Sequence, residues 1–144
     1  MDLVENLLAV PITLDPEEHD GIMALVSHLP QLLAVALMQT ALAGDAEHAM
    51  LDKIAGRGFL EMTRLAASDY WIWKGILETN KEAVGNAVDR FSATLSNLKS
   101  RISDESTAVA WEQAAKQRRK MGPESSARPR KHDLRSMIDG YDKQ

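Results

Sequence analysis

The sequence predicts an all-α protein. No stretch of its 144 residues combines the period-two alternation and the β-branched enrichment that are typical of a strand. Apolar residues recur instead at the three- and four-residue spacing of helices that pack side by side, most clearly in a seam formed by Val84, Val88, Phe91, Leu95, Leu98 and Ile102. With 44% hydrophobic and 26% charged residues, the chain has the composition of an ordinary soluble domain, and we expect a multi-helix bundle.

The first long helix is predicted to begin at Asp15. Asp15 is a good N-cap residue, Pro16 suits the first helical position, and two glutamates follow at the positive end of the helix dipole. Residues 1–14 are expected to form a lead-in segment. Pro30 lacks a backbone N–H, so we expect it to kink or break this helix.

The next segment, Leu32–Leu42, is apolar on nearly every helical face. A helix of this kind is buried on all sides, and in a chain this short the neighbouring helices can include those of a second subunit. We therefore expect an interlocked homodimer. The longest uninterrupted apolar run, residues 32–38, is too short to span a bilayer, so no membrane partner is expected.

The predicted helical domain continues to residue 121. Its later parts are a short helix near Glu47–Ala55, the segment around Arg64, a helix at Trp71–Thr79, a long helix capped by Asn80 and a last helix capped by Asp104. The domain thus covers residues 15–121. Residues 122–144 are rich in Ser, Pro, Arg and Lys and are expected to form a basic, disordered tail.

Charge and cysteine content restrict the function. The net charge of −4 combines an acidic body with a basic C-terminal end. Such an end can contact nucleic acid, but no aromatic residues interleave its charges, so a solvated extension is favoured and no nucleic-acid partner is expected. Without cysteine there is no disulfide or thiolate metal site. The acidic N-terminus lacks the basic region of a signal peptide, so a cytoplasmic location is expected.

Gly58–Asp69 is the strongest candidate for a functional segment. Arg64 stands between Met62 and Leu65, a pattern that would carry its guanidinium toward apolar surroundings, where an arginine needs an anion as its partner. The alternative is purely structural: a short helix, a break capped by Ser68, a second helix with a tryptophan-rich core face, and an arginine that snorkels to solvent. Composition alone favours this alternative.

Nucleotide and metal motifs are weak. Gly56-Arg57-Gly58 resembles the start of a dinucleotide-binding loop, but Glu61 stands at the third glycine position and no βαβ unit surrounds it. Asp45 and His48 lack the matching pair on another helix that a di-metal site requires. No cofactor-binding residue and no metal ligand is predicted, and no catalytic residue can be assigned.

Four separated motifs occur in a characteristic order. They are Pro16-Glu17-Glu18-His19-Asp20, then Val26-Ser27-His28-Leu29-Pro30, then Gly58-Phe59, then Thr63-Arg64-Leu65-Ala66-Ala67-Ser68-Asp69 with Trp73, Ile76 and Asn80. In order and spacing they resemble the C-terminal helical domain of prephenate dehydrogenases. The resemblance covers about residues 10–121.

The resemblance implies a division of labour. The helical domain builds the homodimer and closes one side of the substrate site, while a separate N-terminal Rossmann domain holds NAD or NADP and the catalytic histidine. By the same resemblance, Arg64 binds a carboxylate of prephenate and His28 lies near the substrate, while Thr63, Ser68 and Trp73 shape or brace this segment. Thr63 and Ser68 are therefore counted with Arg64 and His28 as substrate-binding candidates.

The chain departs from the family pattern in two ways. Many members have a histidine where this chain has Gln31, and an amide can hydrogen-bond but cannot carry a proton at neutral pH. Gln31 is therefore kept as a substrate-binding candidate without acid–base chemistry. In addition, these 144 residues contain no segment for the cofactor domain, so no dehydrogenase activity is expected from this chain alone.

Three functions therefore compete. The first is a freestanding or split C-terminal half of a prephenate dehydrogenase-like protein of tyrosine biosynthesis, which works when a separate Rossmann-domain protein docks. The second is a helical protein that binds or converts a small carboxylated metabolite. The third is an interaction module whose basic tail binds a polyanion.

Overall fold

In the residues that the computed structural model describes, all regular elements are helical. The structure describes residues 12–43, 50–51 and 53–121. Its elements are α1 (Pro16–Met23), a π-helical turn (Ala24–His28), α2 (Leu29–Leu42), α3 (Arg57–Thr63), a 3-10 helix (Arg64–Ala67), α4 (Tyr70–Thr79), α5 (Lys81–Ser100) and α6 (Ser106–Lys120). The predicted all-α class is confirmed.

Parts of the sequence-based interpretation lie outside the described residues. They are nearly all of the lead-in segment 1–14, residues 47–49 and 52 of the helix expected near Glu47–Ala55, and the whole basic tail 122–144. Within the chain, Leu14–Asn97 forms one compact unit, and the residues from Leu98 onward belong to a second unit. Each unit is described separately below.

Pro30 does not break the first helix, so the expected break is wrong, while the kink expected as the other outcome stays a prediction. α1, the π-helical turn and α2 form one continuous helical stretch of 27 residues, Pro16–Leu42. A proline ring crowds the carbonyl four residues earlier and leaves it without a donor. Just before Pro30 the backbone widens, because the N–H of Leu29 donates to the carbonyl of Ala24, five residues back. The interruption therefore takes the form of a wider turn rather than a break.

The continuity of this helix changes how its length is judged. Pro16–Leu42 has a mean hydropathy of 1.8 over its most apolar 18 residues, so by length and composition it could cross a membrane. The uninterrupted apolar run within it, residues 32–38, is too short to do so. Only 28% of that window is buried within the subunit. The helix nevertheless carries two buried polar side chains, His28 and Gln31, which hydrogen-bond to distant segments of the chain. Such bonds are typical of a helix that packs against protein.

The core of the Leu14–Asn97 unit lies between this helix and α5. Its buried members are Ala24, Leu29, Val84 and Ala87, with Leu32, Leu33, Leu77, Ala83, Val88 and Phe91 packed around them. The first half of the predicted seam is therefore part of the core. The second half is not: Leu95 is 54% exposed, and Ile102 lies beyond the end of α5 and is 78% exposed.

The apolar helix α2 is not buried on every side by its own chain. Ala34 is 2% exposed, but Leu37 and Leu42 are 36% and 39% exposed. None of the large side chains in the described ranges is fully buried. The expectation of all-round burial is thus wrong for the single subunit, which leaves much apolar surface for a partner.

In the second unit, α6 begins where the sequence predicted it. The backbone N–H of Ser106 donates to the carboxylate of Asp104 at 2.7 Å, and the hydroxyl of Thr107 donates to the carbonyl of Arg101. The backbone and side-chain hydrogen bonds from Ser106 lower the pKa of Asp104 below its ordinary value of 3.8, and the positive charge of Arg101 lowers it further. A carboxylate also suits this position because it faces the positive end of the helix dipole.

We predict that the start of α6 loosens in acid. Since the folded pKa of Asp104 is depressed, its contact with Ser106 stabilises the helix above pH 3.8 and is lost as the pH falls through the folded pKa. A carboxyl ¹³C titration by NMR measures this pKa, and the Ser106 amide shift should report the same step. Asp104→Asn should remove that step. A carboxyl that titrates at or above 3.8 would contradict the assignment.

Candidate functional site

The segment around Arg64 is held in place by a buried glutamine. The Nε2 of Gln31 on α2 donates to the carbonyl of Leu65 at 2.9 Å, across 34 residues of sequence. Gln31 is only 4% exposed. The same carbonyl accepts a second hydrogen bond, from the N–H of Ser68 at 3.0 Å. Because Leu65 follows Arg64 directly, these bonds fix the backbone from which the Arg64 side chain projects.

Local hydrogen bonds explain why the chain turns here. The hydroxyl of Thr63 donates to the carbonyl of Phe59 at 2.8 Å, a bond back to the preceding turn that is common where helices bend. At Ser68 the backbone becomes extended, which ends the 3-10 helix. Asp69 then caps α4, since its carboxylate accepts from the N–H of Trp71 at 2.9 Å. The break expected at Ser68 is present, but the side-chain cap of the following helix is Asp69.

Arg64 itself is exposed. The expectation that its guanidinium lies in apolar surroundings is therefore wrong for the single subunit. Among the described residues Arg64 has no hydrogen bond and no ion pair, whereas the neighbouring Arg57 pairs with Glu61 at 2.9 Å. Arg64 thus offers an uncommitted guanidinium on a fixed backbone.

The second predicted residue, His28, lies in a buried polar cluster. It ends the π-helical turn and is 8% exposed. Its Nδ1 is 3.2 Å from the Nδ2 of Asn80, and that nitrogen also donates to the carbonyl of Asp20 at 2.9 Å. The ring meets Trp73 edge to face, with centroids 6.2 Å apart and planes at 81°. Three of the quoted motifs therefore meet at one place.

Two expectations about these residues need correction. Asn80 was expected to cap the long helix with its side chain, but the amide turns inward to His28 and Asp20 instead. The prediction of a tryptophan-rich core face is also wrong for Trp71, which is 73% exposed. Of the two tryptophans in α4, only Trp73 is partly buried. The sequence offers no local signal for either outcome, because both depend on contacts between distant segments.

The two halves of the site share one helix. His28 and Gln31 are three positions apart where the π-helical turn passes into α2, and Gln31 reaches the Arg64 segment through Leu65. Thr63 and Ser68 serve as backbone braces in this arrangement. The Oε1 of Gln31 is buried without a hydrogen-bond partner among the described residues. No group of three or more metal-ligating side chains occurs in the ranges the structure describes.

The arrangement is chemically suited to binding an anion such as a carboxylate. A free guanidinium can give a carboxylate two parallel hydrogen bonds, and a buried imidazole and amide add directional polar groups. The electrostatic component is the positive charge of Arg64, which has no ion pair among the described residues, while the carboxylate of Glu61 pairs with Arg57.

Known proteins with similar sequences include prephenate dehydrogenases. Residues 15–115 match the family described as prephenate dehydrogenase, dimerization domain. The prephenate dehydrogenase of Lactococcus lactis subsp. cremoris is 31% identical over 136 residues, which are 92% of this chain and 38% of that protein. The prephenate dehydrogenase of Bacillus subtilis is 27% identical over 104 residues, 72% of this chain and 28% of that protein. The chain thus spans well under half the length of these relatives.

Solved structures agree. The prephenate dehydrogenase from A. aeolicus, determined in complex with hydroxyphenyl propionate and NAD+, superposes with a TM-score of 0.73 at 31% identity, over 83% of this chain and 44% of that one. Synechocystis arogenate dehydrogenase superposes with a TM-score of 0.74 over 83% of this chain and 45% of that one, and at 21% identity it supports the fold alone. This chain belongs to the family of prephenate dehydrogenase dimerization domains.

Proposed function

We propose that this chain supplies the dimer and the carboxylate-binding side of the substrate site in a prephenate dehydrogenase-like assembly of tyrosine biosynthesis in the cytoplasm. The observation that carries the proposal is the unpaired guanidinium of Arg64, held on a backbone that Gln31 fixes through Leu65. Family membership supports it, because the relatives with this domain are named prephenate dehydrogenases.

Arg64 is the proposed anion receptor. Its planar guanidinium matches a carboxylate in two parallel hydrogen bonds, which a lysine ammonium cannot reproduce. His28 lies one helical turn before Gln31 and is the proposed second contact. Thr63 and Ser68 are proposed to act mainly by supporting the Arg64 backbone.

The proposed homodimer follows from the apolar surface of the subunit. In the Leu14–Asn97 unit, several large apolar side chains are more than half exposed, namely Val26, Ile54, Leu60, Met62, Tyr70, Trp71, Ile72 and Leu95. Full burial of one large apolar side chain contributes about 1.5–3 kcal/mol, so even a few of them would stabilise a dimer appreciably. The family description as a dimerization domain supports this assembly.

The cofactor is proposed to lie on another domain. We propose that NAD or NADP is bound by a separate Rossmann domain, which the chain meets either in one polypeptide or as a separate protein. Gly56-Arg57-Gly58 stands at the N-cap and first turn of the seven-residue helix α3, and no strand precedes it among the described residues. This is not the strand–loop–helix arrangement that holds a pyrophosphate.

A second candidate function is the binding of a small carboxylated metabolite without a dehydrogenase partner. The observation that favours it is that the brace of Arg64 is complete within this chain, since Gln31, Leu65 and Ser68 all belong to it. The polyanion-binding function stays a prediction from the sequence, because the tail on which it depends lies outside the described residues.

We predict that the chain is a dimer at tens of micromolar. Light scattering should give twice the chain mass of 15.9 kDa. Thermal stability should rise with protein concentration, because association stabilises only the folded state. A monomeric mass together with a melting temperature that does not depend on concentration would contradict the prediction.

We predict weak binding of a ring carboxylate through Arg64. Charge-assisted hydrogen bonds contribute about 1.5–3 kcal/mol each, so one arginine anchor should bind prephenate or hydroxyphenyl propionate at around the millimolar level. Arg64→Lys should abolish this binding, and His28→Ala should weaken it less. The measurement is a titration followed by the amide shifts of residues 63–73.

Arg57→Lys is the matched control, because Arg57 is also exposed but already pairs with Glu61. It should leave the affinity unchanged. If the 63–73 resonances do not move well past millimolar ligand, or if Arg57→Lys has the same effect as Arg64→Lys, then Arg64 is not the receptor.

We predict that the purified chain does not bind NAD or NADP and does not oxidise prephenate. The physical reason is that Gly56–Gly58 lies at the start of a seven-residue helix with no preceding strand among the described residues, so it lacks the strand–loop–helix arrangement that holds a dinucleotide. Isothermal calorimetry measures the binding, and the absorbance of the reduced cofactor measures oxidation. Saturable micromolar binding of either nucleotide would refute the proposal that the cofactor lies elsewhere.

A further inference from the structure

The buried amide of Asn80 stands between two acceptors. Its Nδ2 is 2.9 Å from the carbonyl oxygen of Asp20 and 3.2 Å from the Nδ1 of His28. Asn80 and His28 are each 8% exposed. These contacts connect three separate parts of the unit: α1, the π-helical turn and the junction between α4 and α5.

The carbonyl of Asp20 fixes the orientation of the amide. If the Asn80 side chain were flipped, its Oδ1 would face that carbonyl oxygen at 2.9 Å, and two acceptors would repel each other. The nitrogen therefore occupies this position, and its two hydrogens serve the two contacts. It follows that the Nδ1 of His28 accepts a hydrogen bond, which places the proton of the neutral ring on Nε2.

A second histidine in the same chain shows the opposite arrangement. The Nδ1 of His19 is 3.0 Å from the Oδ1 of Asp20, and a carboxylate oxygen only accepts. The Nδ1 of His19 therefore carries a proton. Asp20 thus influences both rings, through its side chain at His19 and through its backbone carbonyl and Asn80 at His28.

The ring of His28 has little freedom to turn away from this contact. It is buried, and it meets the Trp73 ring edge to face at a centroid distance of 6.2 Å. Asn80 occupies Nδ1, so Nε2 is the ring nitrogen left for a ligand. In the tautomer that Asn80 selects, that nitrogen is a donor.

We propose that Asn80 is a positioning residue that holds His28 as an Nε2–H donor, so that His28 recognises an oxygen of the ligand, such as a carboxylate or carbonyl, and does not take a proton from it. The assignment of the tautomer stands on the geometry of the free protein. The ligand contact rests on the proposed function, and the experiment below separates the two.

The tautomer is tested first, in the ligand-free chain labelled with ¹⁵N-histidine. Long-range ¹H–¹⁵N spectra are recorded at mildly alkaline pH, where a free imidazole is neutral. The His28 signals are identified by their loss in His28→Ala. We expect a protonated, pyrrole-type shift for Nε2 and an unprotonated, pyridine-type shift for Nδ1. The reverse pattern, or equal averaged shifts for both nitrogens, overturns the proposal.

Variants then test whether Asn80 is the cause. Asn80→Ala should convert the single tautomer into an averaged mixture, and Asn80→Asp should move the proton to Nδ1, because a carboxylate only accepts. Asn86→Ala, an exposed change on the same helix α5, is the control and should leave the His28 shifts unchanged. If folded Asn80→Ala keeps the wild-type tautomer, Asn80 does not set it and the proposal fails. If neither Asn80 variant folds, the wild-type spectrum still decides the tautomer of His28.

The ligand contact is tested last, with hydroxyphenyl propionate as the probe. Titration into the wild-type chain should shift the Nε2 resonance of His28 and leave Nδ1 pyridine-type. If the probe moves the residue 63–73 amides but not Nε2, the ligand binds without His28, and the recognition role is overturned. If the probe moves neither, the proposed carboxylate site fails, while the tautomer measured in the free protein is unaffected.

Discussion

The buried amide of Asn80 is the constraint on which the rest of the Leu14–Asn97 unit depends. It bonds to Asp20 across 60 residues of sequence and to His28 across 52. A buried polar group left without its partner costs about 1–3 kcal/mol, so the three elements that meet here must keep their register. The core around them consists mainly of alanine, valine and leucine, which pack in many ways. The polar contact favours the observed packing over alternatives in which the buried amide would lose its partners.

The π-helical turn reconciles this cluster with Pro30. One extra residue in a turn rotates everything that follows by about 100°, since an α-helix has 3.6 residues per turn. The residues before Ala24 and those after His28 therefore present different faces from the ones a regular helix would give. In the folded chain this brings both His28 and Gln31 to buried positions, where each finds a partner on a distant segment. If the helix ended at Pro30, His28 and Gln31 would lie on separate elements, and the position of one would not determine the position of the other.

The features that could be predicted from the sequence are those governed by near neighbours. The cap at Asp15, the break at Ser68 and the start of α6 after Asp104 depend on bonds within two or three residues, and each is found. What could not be predicted depends on tertiary contacts. The partner of Gln31 is 34 residues away, and the side chain of Asn80 turns inward although its position suits a helix cap. In addition, the extra residue in the π-helical turn shifts the helical periodicity, so a hydrophobic pattern with one constant period cannot describe the whole helix.

The exposure of Arg64 affects how strongly the separate subunit can bind an anion. An ion pair at a solvent-exposed arginine is worth little, because water and salt screen it. The same pair becomes stronger when a second surface excludes water and lowers the effective dielectric constant. The chain holds the backbone of Arg64 in place but does not cover its guanidinium. It therefore fixes the position of the residue but does not exclude water from its charge. The carboxylate site that we propose would therefore be weak in the separate subunit and would strengthen when a second domain or subunit closes over it, so that ligand binding and assembly would favour each other.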